Sequence, residues 1–226
     1  MQLYIGNQNY SSWSLRAWLI FAQFDVEVDI IKLKLFTKDF YRTLENIAPT
    51  AKVPTLVDDD VTVWDSLAIL EYINEAYLGG KAWPSSAKER AKARAISAEM
   101  HSGFFDIRNE LPMNCRAKRK TALSEGAVKD IARIDAIWSE QMEQYPDGWL
   151  FGEWSIADAM YAPVALRIQT YDIALSDKAR RYQQKLLNSP AMQRWLAEAS
   201  LETDIVEEDE AGAPIPALFL TFQLNH

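Results

Sequence analysis

The segment from Asn46 to Ser66, NIAPTAKVPTLVDDDVTVWDS, constrains the fold of this chain more than any other. Val53-Pro54 opens a short apolar run, Asp58-Asp59-Asp60 makes an acidic turn, and a second strand-like run follows from Val61 to Trp64. Asp65-Ser66 then starts an amphipathic helix. A proline has no N–H to give to a strand ladder, so Pro54 belongs at a strand's first residue or on an edge. X-Pro bonds are the ones that adopt the cis form at low cost. A cis Pro54 would turn the backbone N–H and C=O of Val53 away from the sheet, free to pair with a peptide-like ligand. Ser66, at a helix N-terminus, adds free N–H groups and the positive end of the helix dipole, which bind carboxylates. The pattern describes a socket for a small anionic peptide.

Composition narrows the partners. The 226 residues are 49% apolar, with eight Trp, nine Tyr and nine Phe, enough for a substantial core. A formal charge of −8 argues against nucleic acid or an anionic membrane as the main partner. An anionic ligand therefore needs local positive potential from helix ends and a few cations. The single cysteine, Cys115, rules out an internal disulfide framework and reads as a partly buried thiol in a reducing compartment. The first residues, MQLYIGNQNY, lack the basic and long apolar regions of a secretory signal. No stretch approaches the roughly 20 apolar residues of a membrane span. The expectation is a soluble, cytoplasmic protein.

Periodicity gives the order of elements. Leu3-Tyr4-Ile5 reads as a strand, and apolar residues at Trp13, Ala17, Ile20, Phe21 and Phe24 predict a buried helix from Ser11. Asp25 to Leu35 alternates as a second strand, and Thr37 to Ile47 is a short helix. Thr55 to Val57 and Val61 to Trp64 form a hairpin, and Ser66 to Tyr77 is helical. The order is β-α-β-α-β-β-α, an α/β unit over residues 1–80. After the break at Gly79-Gly80 only helices follow, over residues 86–203: Ala87 to Leu111 as one long helix, then Ala122 to Tyr145, Ser155 to Tyr171, Asp177 to Leu187, and Pro190 to Ala199. Residues 204–226 form an acidic, then apolar tail; its Leu218 to Phe222 run fits a packed extension, an edge strand or a disordered end equally well.

Three constellations could carry chemistry. In Tyr10-Ser11-Ser12-Trp13-Ser14 a serine could simply cap the helix. The same hydroxyl could instead donate to a bound ligand's thiolate, which a helix N-terminus also stabilises. Lys52-Val53-Pro54 with Asp65-Ser66 is the second. Trp154-Ser155-Ile156-Ala157-Asp158 is the third, a capping box whose role is helix nucleation, with Pro163 expected to kink or loosen the helix it starts. Arg16 is either a ligand cation or a first-turn charge answering an acid. His101 reads as packing or surface rather than a base. Two histidines and one cysteine make a zinc site improbable, and no dinucleotide, P-loop or nucleophile-elbow motif occurs.

In this order, the three constellations resemble the cytosolic glutathione S-transferases over about residues 1–200. YSSWSLR is similar to the serine motif of the serine-type classes, nearest to the zeta and theta-like ones. KVPTLVDDDVTVWDSLAILEYINEAY resembles the family's glutathione-binding segment, and WSIAD its second-domain capping box. The resemblance implies a thioredoxin-like N-terminal domain, an all-helical C-terminal domain and a homodimer. It implies glutathione as cosubstrate, no metal, and a small electrophile as the second substrate, as in detoxification. Ser11 matches the serine that stabilises the glutathione thiolate, with Ser12 as the alternative if the register slips. Val53 and Pro54 match the backbone clamp, Asp65 and Ser66 the γ-glutamyl end, and Lys52 the other carboxylate or the adjoining backbone. Family geometry puts the electrophile near Met100, Phe104 and Arg108. Trp13 stands where zeta and beta classes carry cysteine, which weakens the implication of maleylacetoacetate isomerisation or cysteine-based thiol transfer. The expectation is conjugation, with glutathione-dependent isomerisation, peroxide reduction or a non-catalytic interaction module as alternatives.

Overall fold

A computed structural model describes residues 1–215. Four strands, β1 (Gln2–Ile5), β2 (Asp29–Lys32), β3 (Thr55–Asp58) and β4 (Val61–Trp64), form one sheet in the order β2-β1-β3-β4. β1 runs parallel to β2 and antiparallel to β3, and β3–β4 is the predicted hairpin. The parallel pair requires a crossover, supplied by α1 (Ser12–Phe24). α2 (Lys38–Leu44) follows β2, and α3 (Ser66–Ala76) follows β4, which completes a thioredoxin-like unit.

The sheet's inward residues Leu3, Ile5 and Leu56 are fully buried, as are Leu15, Ile20, Ile69, Leu70 and Ile73 from α1 and α3. α1 packs on α3 with one face and on a helix of the second region, α7 (Ile156–Thr170), with the other. That double burial explains why α1 carries apolar residues nearly all round. Phe40 and Leu44 are the residues through which α2 is buried.

Two expectations need correction. The second strand shortens to Asp29–Lys32 because α1 ends at Phe24 and Asp25 adopts a left-handed conformation, φ 51°, after it. The helix expected from Ala87 to Leu111 is two: α4 (Ala87–Ser102) and α5 (Phe105–Glu110). Gly103 ends the first, and a Cβ there would lie 2.8 Å from the Glu99 carbonyl oxygen. Phe104 then takes a left-handed conformation, φ 56°. Charge and alanine content fit a helix on both sides, and the break is set by two residues.

The remaining helices are α6 (Glu125–Gln144), α8 (Asp177–Leu187) and α9 (Pro190–Leu201). α7 lies at the centre of the helical region, with fourteen of its residues buried, and it runs through Pro163 as one assigned helix. Its capping box is formed: Ser155 donates its N–H (2.8 Å) and Oγ (3.1 Å) to Asp158 Oδ2. Tyr182 of α8 donates to the other carboxylate oxygen at 2.9 Å. Beyond α9 the chain turns back over the first domain. Glu207–Asp209 form a 3-10 turn, and β6 (Ala213–Pro214) pairs antiparallel with β5 (Arg119–Lys120), a pairing absent from the sequence reading. The Leu218 to Phe222 run lies outside the described residues. Among the described residues no helix is long and apolar enough to cross a membrane.

Candidate active site

Two adjoining cavities lie where α1, the β3 entrance and α3 meet the helical region. One, about 540 Å³, is lined by Ser11, Ser12, Lys52, Val53, Arg108 and Arg167 among others. The second, about 430 Å³, is lined by Trp13, Thr50, Lys52, Val53, Pro54, Trp64, Asp65 and Ser66. Trp13, Thr50, Lys52 and Val53 belong to both, so the two make one groove. The structure thus brings Ser11, Ser12, Lys52, Val53, Pro54, Asp65 and Ser66 to a single place. A larger cleft of about 700 Å³, between Asn74 and Trp154, contains none of them.

The Val53-Pro54 bond is cis, the case the sequence reading considered. β3 begins at Thr55, so Val53 stands ahead of the ladder, and Thr55 Oγ1 donates to the Lys52 carbonyl at 2.8 Å. Asp65 caps α3 from a left-handed φ of 77°, its Oδ1 accepting from Leu67 N at 2.8 Å and Ala68 N at 3.3 Å. Its Oδ2 faces His101 Nε2 at 3.2 Å, which ties α3 to α4. Ser66 is buried, and its Oγ has no partner among the described residues. A buried hydroxyl left unpaired costs free energy, which a ligand's polar group could recover.

Ser11 and Ser12 are 7% and 9% exposed at the start of α1. Ser11 makes no side-chain cap bond; its Oγ donates to Ser14 Oγ at 2.7 Å, which also accepts from Gly6 N at 3.1 Å. Ser12 Oγ accepts from Arg167 Nη2 at 3.3 Å. Arg108 lies over Trp13, its Cζ 4.5 Å from the ring centroid, and donates to the His101 and Gly103 carbonyls. Burial lowers the pKa of Arg108, and it lowers that of Arg167 to about 10, with repulsion from Arg108 as a lesser cause.

Met100 and Phe104, expected beside an electrophile, are instead buried in the core, at 0% and 7% exposure; only Arg108 of that trio lines the groove. Arg16 is neither a ligand cation nor paired with an acid within its first turn. It is 2% exposed, with Nε donating to the Met160 carbonyl at 3.0 Å across to α7.

Sequence reasoning missed Arg167 and Asp209, both lining the groove. Arg167 had a signal: it is a lone cation in the apolar run YAPVALRI of α7. Asp209 had none, since its place depends on the fold-back of the tail. That fold-back is held by Glu202, which accepts from Gln8 N (2.7 Å) and Asn9 N (3.0 Å), and by Glu210, which accepts from Tyr10 Oη (2.6 Å) and Asn114 Nδ2 (2.9 Å). Desolvation raises the Asp209 pKa to about 6, against the opposing pull of Arg167.

Residues 10–76 match the family model for the glutathione S-transferase N-terminal domain. A probable maleylacetoacetate isomerase of Caenorhabditis elegans is 26% identical over 196 residues, covering 84% of this chain and 89% of that protein. A stringent starvation protein A homolog of Coxiella burnetii is 23% identical, covering 80% and 82%. In fold, a Burkholderia glutathione transferase homolog with bound glutathione superposes with a TM-score of 0.68 at 24% identity, covering 88% of this chain and 97% of that one. Strand order, the Val53-Pro54 loop and the α3 cap agree with that match, and residues 10–76 belong to the glutathione S-transferase N-terminal domain family.

Proposed function

We propose that this protein binds glutathione in the groove and transfers its thiolate to small electrophiles. Val53 pairs with the cysteinyl backbone, and Asp65 and Ser66 hold the γ-glutamyl end. Lys52 meets the other carboxylate, and the serines at the start of α1 face the sulfur. The observation that carries this reading is the convergence on one groove of the Val53-Pro54 loop, the Ser66 hydroxyl, unpartnered among the described residues, and both α1 serines. A thiol at a helix N-terminus ionises more readily than a free one. The thiolate then forms a C–S bond as the leaving group departs with the bonding pair, and the thiol proton goes to solvent. Residues 1–80 form the glutathione-binding domain and 86–203 the helical one in this reading. The protein works as a homodimer in the cytoplasm.

Calorimetric titration with glutathione, followed by turnover of an aryl halide, tests the reading. Saturable binding with conjugation supports it. Absence of binding points to a non-catalytic interaction module. A second reading, glutathione-dependent cis–trans isomerisation, is favoured by the similarity to a probable maleylacetoacetate isomerase and by Arg108 and Arg167 in the groove, which suit a carboxylate. Turnover of a maleyl substrate without conjugation of the halide would select it; turnover of an organic hydroperoxide would select peroxide reduction.

A further inference from the structure

Ser11 and Ser12 both border the groove, yet their hydroxyls are committed differently. The Ser11 proton is directed to Ser14 Oγ at 2.7 Å, inward and away from the groove. A hydroxyl whose proton is already used can only accept, and accepting from a thiol favours its neutral form. Ser12 Oγ accepts from Arg167 Nη2 at 3.3 Å, and among the described residues no acceptor takes its own proton. The arginine's orientation is fixed independently of any ligand, because Nη1 donates to the Arg108 carbonyl at 3.0 Å and to the Leu111 carbonyl. One nitrogen of the fork is thus held by backbone and the other aims at the serine. A cation donating to the hydroxyl oxygen makes its O–H a stronger donor.

Resting on the glutathione reading above, we propose that Ser12, not Ser11, donates to the glutathione thiolate, and that Arg167 is the positioning residue that orients and polarises its hydroxyl. The proton transferred to solvent on thiolate formation comes from glutathione; Ser12 keeps its own and shares it in a hydrogen bond. The charged and titratable groups that line this cavity are Arg108 from α5, Arg167 from α7, Tyr41 from α2, Asp209 from the 3-10 turn, and Lys52 and Tyr10 from the loops. Arg108 and Lys52 add positive potential that does not depend on Ser12, and Asp209 opposes it.

The test reads the pKa of bound glutathione from the ultraviolet absorbance of its thiolate, at saturating glutathione. Ser12→Ala should raise that pKa by about one unit, and by more than Ser11→Ala does. Arg167→Met should raise it in the wild-type background and much less in the Ser12→Ala background, because the arginine acts through the serine. Should Arg167→Met fail to fold in a thermal-unfolding control, Arg167→Lys replaces it, since lysine keeps the charge but loses the planar fork. A larger shift from Ser11→Ala than from Ser12→Ala would overturn the assignment of Ser12. Equal Arg167 effects in the two backgrounds would overturn the positioning role. Failure of the wild-type protein to bind glutathione would instead sink the parent reading, so the two failures are distinguishable.

Discussion

The Arg16 guanidinium lies over the Trp13 ring, its Cζ 4.5 Å from the centroid. Arg108 lies over the same ring at the same distance, so one indole contacts two cations. His101 meets it edge-on, with ring centroids 5.4 Å apart. Trp13 thereby joins the groove to the helical region. Each such stack is worth about 0.5–2 kcal/mol, depending on desolvation.

Arg16 contributes to packing despite its charge. Burial, with repulsion from Arg108 and Arg167, lowers its pKa to about 9, and its Nη1 has no partner among the described residues. Arg16→Met, which keeps the length of the side chain, should therefore be the milder change. Arg16→Ala should destabilise by about 2 kcal/mol more, because it leaves a cavity between α1 and α7. Urea unfolding of the two variants checks the difference.

Asp65 lines the groove while both its oxygens are engaged within the fold: Oδ1 caps α3 and Oδ2 faces His101. Asp65→Asn retains a capping oxygen and loses the charge, so glutathione affinity should fall about tenfold, the weight of one charge-assisted hydrogen bond, with little loss of stability. Asp65→Ala should weaken binding as much and also cost about 1 kcal/mol of stability. Calorimetry paired with thermal unfolding separates the two effects.

Asp209 should make the folded-back tail pH-sensitive. Its pKa is raised from 3.8 to about 6, so the folded state binds more protons than the unfolded one within that window. The associated stabilisation is complete below 3.8 and lost as pH rises through about 6. Asp204, lowered chiefly by its hydrogen bond from Lys34, acts oppositely, losing its contribution only on acidification below the ordinary carboxylate range. Amides of residues 204–215 should exchange faster, after correction for intrinsic rates, at about pH 7 than at about pH 5. Asp209→Asn should remove that difference.

Cys115 should be inert. Burial pushes its thiol up to about 12, and Sγ lies 3.5 Å from the Gln8 carbonyl oxygen. A maleimide should label the native protein far more slowly than the urea-unfolded one. Cys115→Ala should leave glutathione-dependent turnover at the wild-type level.

Local patterns made the first half of the fold legible. The Pro54 position, the acidic hairpin turn and the Asp65-Ser66 helix start are each set by neighbours in sequence, and each appears where its chemistry required. The α4–α5 break was illegible because Gly103 alone is a weak signal inside an otherwise helical pattern, and Phe104 in a left-handed conformation is set by its burial. The groove's far wall was hidden for another reason. Arg167 and Asp209 come from elements more than 150 residues beyond the serines, and only tertiary packing puts them there. The Ser12 hydrogen bond from Arg167 depends on the same packing and has no sequence signature.

The central claim is that the groove holds glutathione and ionises its thiol. The most direct measurement is a pH titration of thiolate absorbance for wild-type protein saturated with glutathione. The account predicts an apparent thiol pKa at least about one unit below the free value near 8.5. A bound thiol that titrates like free thiol, or no saturable binding at all, would contradict it.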